Sequence, residues 1–344
     1  MKKVLLGKHT FYKANLHTHT TISDGQLSPE EIKESYLEKG YSVVAFTDHE
    51  VFVPHNDLTD NHFLAINSYE LAVNERKEKD FQFIKTYHLN FYAMNDQIDV
   101  APCFNINNIW LKQSLPFVTE KMKGINYPIE YSVECINQMI SCSNEKGFLV
   151  CYNHPVWSMQ DYSDYIDLNG LWGIEVFNTG CDNSSLTDTD RPYEELLKQG
   201  KRLCPVAADD THKPSSRFGG FTMIDAPRLA YGDVMQALKS GDFYASTGPL
   251  ITSLTIEDDF LKIQCSPCSK IMMLTNRRYT ETVRGSELTE AQISLKTFFK
   301  WNGNDENGDY FRVVIVDKEG KKAYTRAYTE ADFGEQSNFI NRKG

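Results

Sequence analysis

Residues 15–50 read NLHTHTTISDGQLSPEEIKESYLEKGYSVVAFTDHE, a strand end, a helix and a second strand in close succession. Ser28 is placed to cap a helix, Pro29 suits its first position, Glu31 completes a capping box and Gly40 ends it, so the spacing predicts a helix over 29–39. The apolar run SVVAF predicts a strand over Ser42–Asp48, and the residues before the helix predict another over Tyr12–His19. Two strands joined by one tight helix are a parallel βαβ unit.

The same alternation continues in both directions from this unit. Further strands are expected at Phe63–Leu71, Thr86–Ala93, Phe148–His154, Leu171–Phe177 and Leu203–Ala208, which together make about seven rungs of an α/β barrel. Residues 95–130 are longer than an ordinary connection and polar-aromatic, so they are read as an insertion near the site, in the manner of a lid. Tyr231–Ser246 reads as helical, and Thr247-Gly248-Pro249 breaks the pattern. Beyond it, short strands are expected at Leu250–Ile256, Phe260–Cys265, Lys270–Thr275, Ile293–Lys300 and Tyr310–Asp317, separated by turn residues. The expectation is therefore a barrel over 1–248 and a small antiparallel β-sandwich over 249–344 with a loose polar tail.

Hydrophobic content of 41% with 24% charged residues fits a globular chain, and no apolar run approaches the roughly 18 residues of a membrane span. The first residues lack the apolar core of a signal peptide, since Lys8, His9 and Thr10 follow a short triplet. A net charge of −11 argues against broad attraction to a nucleic-acid backbone, so long nucleic acids are not expected partners; with no membrane-span run, membranes are not either, and a small-molecule substrate is expected. The eight cysteines are scattered among apolar neighbours, as in a reduced, cytoplasmic protein. Cys265-Ser-Pro-Cys268 is one CxxC without a second pair, and reads as incidental.

Six of the nine histidines form an ordered series with three carboxylates: His17, His19, Asp24, His49, Glu70, His88, His154, Asp210 and His212. Each falls at or just past a strand end, where a parallel barrel delivers side chains to its active rim. On a strand, residues two apart share a side, so His17 and His19 could grip one ion together, and Asp210-x-His212 repeats the spacing. Glu70 could bridge two cations, which an imidazole cannot, and Asp48 could orient an imidazole. Asp209 competes with Asp210 for the carboxylate role. His55 and His62 follow the His49 strand and could line a pocket, whereas His9 precedes the barrel.

The opening stretch, with Glu70, His88, Asn153-His154-Pro155 and Asp210-Thr211-His212 in this order, resembles the PHP (polymerase and histidinol phosphatase) superfamily from about residue 10 to 248. The segment SGDFYASTGP at 240–249 resembles the barrel exit of its two-domain hydrolases. The resemblance implies a distorted (β/α)7 TIM-like barrel holding two to three divalent ions, zinc, manganese or iron. It implies His17, His19, Glu70 and Asp210 on a first ion, Glu70, His88 and His154 on a second, and Asp24, His49 and His212 on a third. Where the family often has Ser-Asp-Ala-His, this chain has Asp209-Asp210-Thr211-His212, so either carboxylate stays open as the ligand.

Two cations sharing a carboxylate can acidify a bridging water to hydroxide, and a third can steady the leaving oxygen, which suits phosphoester hydrolysis. Serine and cysteine nucleophiles are then not needed. Glu70, Asp210, His212 and Arg217 are the candidate catalytic residues, with Arg217 and Lys213 as contacts for the phosphoryl oxygens. The expected function is a metal-dependent phosphoesterase acting on a small phosphorylated molecule such as a phosphomonoester or nucleotide. The alternatives are a carboxylic or carbamate ester hydrolase with the same cage, and a non-catalytic metal-binding or sensing domain.

Overall fold

Local propensity builds the opening unit much as its residues dictate. In the computed structural model, which describes residues 2–75, 84–187, 189–301 and 308–333, the first helix spans Pro29–Leu37. The Ser28 hydroxyl accepts from the Glu31 N–H while the Glu31 carboxylate accepts from the Ser28 N–H. Gly40, at φ +73°, takes the left-handed conformation that turns the chain into the next strand.

Among the described residues the strands, in chain order, are β1 Lys2–Leu6, β2 Thr10–Asn15, β3 Val43–Phe46, β4 Leu64–Asn74, β5 Thr86–Ala93, β6 Phe148–Tyr152, β7 Gly173–Asn178 and β8 Cys204–Ala208. They continue with β9 Phe221–Ala226, β10 Phe243–Ser246, β11 Ile251–Glu257, β12 Phe260–Thr275, β13 Thr280–Ser294, β14 Phe311–Val316 and β15 Lys322–Thr325. All belong to one mixed sheet, ordered β1-β11-β12-β14-β15-β10-β9-β2-β3-β4-β5-β6-β7-β8, with β13 on β12.

The half from β9 to β8 curls and carries the site. β2, β3 and β4 are parallel, as are β6, β7 and β8, but β5 lies antiparallel between β4 and β6. The link from Asn74 to Thr86 is too short for the helical crossover a parallel pair needs, so the run of βαβ units is interrupted there. The curl closes at one rim, where Thr18 bridges Thr211 and the His19 N–H donates to the Thr211 carbonyl at 2.9 Å. β3 is buried on both sides, Val43 and Ala45 towards the helix Tyr231–Ser240 and Val44 and Phe46 towards Ile32 and Tyr36.

Several boundaries differ from the sequence expectation. β2, β3 and β6 stop at Asn15, Phe46 and Tyr152, so His17, His19, His49 and His154 lie on the loops beyond them. The chain has to leave the ladder for those side chains to converge. The helix expected over 231–246 ends at Ser240, because Gly241 is left-handed and Phe243–Ser246 pairs as β10. The strands expected at 260–265 and 270–275 are one, β12, with irregular register around Pro267. The strand expected over 293–300 gives way to a helix at Lys296–Trp301. β1, β9, β13 and β15 have no counterpart among the expected strands; β13 is mostly exposed and polar, without the alternation that marks a half-buried strand.

In the C-terminal sheet, Leu254, Leu261, Ile271, Val313 and Ile315 form a core to which β1 adds Leu5 and Leu6. β14 is buried on both faces: Val314 and Val316 pack towards the barrel with Tyr193, Leu196 and Leu197. There the buried Arg312 meets Glu194 and Asp190. No described helix is long and apolar enough to cross a membrane. The polar tail expected at the C-terminus falls outside the described residues.

Candidate metal centre

The loop after β2 is shaped to bring two imidazoles and a carboxylate back to the rim. Asp48, at the end of β3, accepts from the Thr20 N–H and hydroxyl at 2.7 and 2.8 Å and from the Ser23 N–H and hydroxyl at 3.1 and 2.6 Å. It therefore fixes the turn between His19 and Asp24 and does not orient an imidazole, the role anticipated for it. Gly25 is needed for this turn, since a Cβ there would stand 2.4 Å from the His19 carbonyl oxygen. His49 is held against β4 by its parallel bridge to Glu70.

All nine series members converge on this rim. His17 Nε2 lies 3.2 Å from His19 Nε2 and 3.3 Å from both Glu70 Oε1 and Asp210 Oδ1. Glu70 also lies 3.3 Å from His19 Nε2, 3.3 Å from His49 Nδ1, 3.1 Å from His88 Nδ1 and 3.5 Å from His154 Nε2. Asp24 faces His19, His49 and His212 at 3.5, 3.9 and 3.4 Å. His154 and Asp210 hold φ of +25° and +51°, conformations costly for non-glycine residues and typical of functional sites.

These donor sets fit divalent cations. Four groupings can each hold an ion: His19, Asp24, His49 and His212; His17, His19 and Glu70; His49, Glu70 and His88; and His17, His154 and Glu175. Coordinate bonds of about 2.0–2.1 Å in a tetrahedral arrangement would space ligand atoms about 3.3 Å apart, the separation seen between many of these atoms. Asp24 Oδ1, His49 Nδ1 and Asp210 Oδ1 are buried without a hydrogen-bond partner, a costly state that a cation relieves.

The two neighbouring aspartates have separate tasks. Asp209 accepts from the hydroxyls of Tyr36 and Thr179 and from the N–H groups of Phe218, Gly219 and Gly220. It is consumed in holding the loop after β8, while Asp210 turns its Oδ1 to His17, His19 and His212.

Burial favours the neutral form of every group here, yet mutual contacts override it for most. The close approach of Asp210 and Glu70 and the Asp24 charge outweigh burial and raise His19 to about 10. His154 rises to about 9 against burial, through Glu70 and Asp210, and His17 is raised as well by Asp210, Glu70 and Glu175. Burial would lift Glu70, but His88, His17 and His49 hold it well below the usual range; Asp210 and Asp24 are likewise depressed by their histidines. His49 falls to about 3 through burial and the His19 charge. The carboxylates stay anionic and cations are wanted beside them, a role filled by protons when metal is absent.

Residues 15–170 match the family model of the PHP domain. That stretch is a PHP domain. Seven of the nine series members lie inside the matched stretch, and Asp210 and His212 lie beyond it. With this ligand set the PHP domain makes the protein a metal-dependent hydrolase. No curated protein matches the sequence. Among solved structures, the chain is similar to a two-domain protein containing a predicted PHP-like metal-dependent phosphoesterase from Bacteroides vulgatus, at 12% identity, 95% of this chain, 98% of that chain and a TM-score of 0.45. It is also similar to an amidohydrolase from Chromobacterium violaceum (13% identity, 67% and 96% covered, TM-score 0.41) and to the lesion-specific endonuclease PfuEndoQ from Pyrococcus furiosus (13%, 87% and 68%, TM-score 0.42). Likenesses this distant carry nothing about activity.

Around the metal centre stand further residues outside the nine-member series. Glu175, on β7, accepts from His17 Nδ1 at 2.7 Å and from the His154 N–H at 3.1 Å, which points His17 Nε2 at the cluster. The available signal was a carboxylate inside the apolar run of β7. Asn153 donates to Glu70 Oε1 at 2.8 Å, and Ser158 lies 3.2 Å from His154 Nδ1. Trp110 packs against His49, and Trp157 against His88 and His154. Arg217 donates from Nε to the Pro214 carbonyl and lies over the Phe218 ring, while Lys213 is exposed beside His212. His55 is buried against Phe46, and His62 is exposed on its loop.

Proposed function

We propose that this PHP domain hydrolyses a small phosphorylated molecule, a phosphomonoester or a nucleotide, using two to three divalent ions. The observation that carries the reading is Glu70, whose two buried oxygens stand among five imidazoles belonging to adjacent ligand groups. His17, His19, Glu70 and Asp210 would hold one ion, Glu70, His88 and His154 a second, and Asp24, His49 and His212 a third. Bound ions of this kind acidify a shared water and neutralise charge on phosphoryl oxygens. The protein's own part is to hold the ligands in place: Glu175 and Ser158 sit on the Nδ1 atoms of His17 and His154, and Asn153 steadies Glu70. An all-nitrogen-and-oxygen donor set without thiolate suits zinc, manganese or iron.

Lys213 and Arg217 follow His212 closely in sequence and are the proposed contacts for phosphoryl oxygens; Arg217 would have to leave the Pro214 carbonyl to reach one. A reducing, cytoplasmic setting is in keeping with eight cysteines scattered among apolar neighbours. We read residues 1–248 as the hydrolase unit, a (β/α)7-type barrel, and 249–344 as a smaller sandwich-like unit, with β1 contributing its strand to the latter. The test is a turnover screen of metal-replete protein on phosphomonoesters, phosphodiesters and aryl carboxylic esters. Phosphoester turnover that a chelator abolishes and added metal restores is expected; turnover confined to carboxylic esters would replace phosphate with carboxyl chemistry.

A further inference from the structure

Trp110 is 56% exposed, the most exposed of the described large hydrophobic side chains, although it sits beside a buried metal-ligand candidate. Its ring centroid lies 5.6 Å from that of His49. Trp157 lies edge-on to His88 and His154 at 5.3 and 5.1 Å, and His49 and His88 are themselves 5.5 Å apart. Two indoles therefore stand at the mouth of one cluster, against different ligands.

The segment bearing Trp110 is fastened where a mobile surface loop would not be. Gln113 Nε2 donates to the Ser23 carbonyl at 2.6 Å and the Ser114 hydroxyl to the Ile22 carbonyl at 2.9 Å, both on the turn that carries Asp24. On the other side, Asn108 Nδ2 donates to the Ala72 carbonyl of β4 at 3.1 Å. These bonds tie the backbone on both sides of Trp110 to elements that carry ligands, yet the indole itself stays in water. An apolar ring so fixed and so exposed has surface to offer a partner that the fold does not supply.

We infer that Trp110 and Trp157 form a subsite for a flat aromatic group on the substrate, so that the preferred phosphoesters carry an aryl or nucleobase ring near the phosphoryl group. This rests on the phosphoesterase reading above and adds the class of its organic half. A phosphoryl group at the ligand cluster would bring a ring one or two bonds away alongside the indoles. A small aliphatic ester would leave them exposed.

The test uses metal-replete protein and non-hydrolysable anions, with tryptophan fluorescence and calorimetry reading affinity. Phenylphosphonate should bind about tenfold more tightly than methylphosphonate, the order of gain from one ring-on-ring contact. Trp110→Ala should reduce phenylphosphonate to the methylphosphonate level with metal content and methylphosphonate affinity unaltered, and Trp110→Phe should keep most of the preference. Equal binding of the two phosphonates by the unaltered protein, or parallel loss of both anions and of metal in Trp110→Ala, overturns the subsite. Phenylacetate against acetate, titrated alongside, reports the ring preference without phosphorus. If neither phosphonate binds, phosphate recognition falls, and the carboxylate pair still upholds or overturns the aromatic subsite.

Discussion

In the C-terminal sheet the buried Arg312 meets Glu194 and Asp190 at the start of the helix Arg191–Lys198, so a cation and its anions are supplied by the same chain and only Nη1 is left without a partner. At the barrel rim three carboxylates face six imidazoles, yet Oδ1 of Asp24 and Oδ1 of Asp210 are buried without a hydrogen-bond partner. The first arrangement is complete within the protein and serves cohesion. The second is built around charge that the chain does not carry. Buried ionic groups alone do not mark a site; unsatisfied ones converging on one point do.

The comparison breaks most visibly at Glu70. Glu70→Gln keeps shape and removes charge, so turnover should fall on the order of 10³-fold or more, with reduced metal content and a folded protein by circular dichroism. Normal activity at normal metal occupancy would remove Glu70 from the bridging role. Next comes Arg217→Ala, expected to lower kcat/KM for a phosphorylated substrate by roughly 10²-fold with metal content intact. Equal losses on a neutral aryl ester, or no loss on either, would leave Arg217 with only its loop contacts. Glu175→Gln should weaken metal binding by about tenfold to a hundredfold, because the His17 ring loses its orienting partner; unchanged affinity in a chelator competition would count against it.

The other region sharpens the contrast with a null effect on the site. Arg312→Met should destabilise the fold by less than the roughly 3–5 kcal/mol of breaking a fully buried pair, since Glu194 is 23% exposed and can be rehydrated. Denaturant unfolding reads that loss, and metal stoichiometry should not move. Loss of metal in parallel with stability would mean that the two regions are not independent.

Much of the candidate site was legible because most of its residues fall inside apolar strand runs or shortly beyond them, where the spacing of those runs announces them: Thr86–Ala93 carries His88 within its expected bounds. What was not legible depends on partners distant in sequence. Glu175 gains meaning only when β7 is brought beside the loop after β2, and Asp209 separates from Asp210 only when Tyr36, Thr179 and the Phe218–Gly220 backbone surround it. β1 is similar: five residues, KKVLL, too few to show a period, become a strand because β11 offers an edge. The antiparallel β5 follows from a short connection whose consequence is tertiary.

The central claim is that the rim holds a multinuclear cation site, and calorimetric titration of the metal-free protein with zinc at pH 8 tests it directly. At that pH His19 and His154, raised to about 10 and about 9, hold protons in the metal-free protein, whereas an ordinary histidine would have lost them. A cation binds only the neutral ring, so uptake must expel those protons, and affinity should climb as pH rises towards these values. The account predicts two to three zinc ions per chain, with heats that change between buffers of different ionisation enthalpy because protons are released. One ion or none, or binding without proton release, would contradict it.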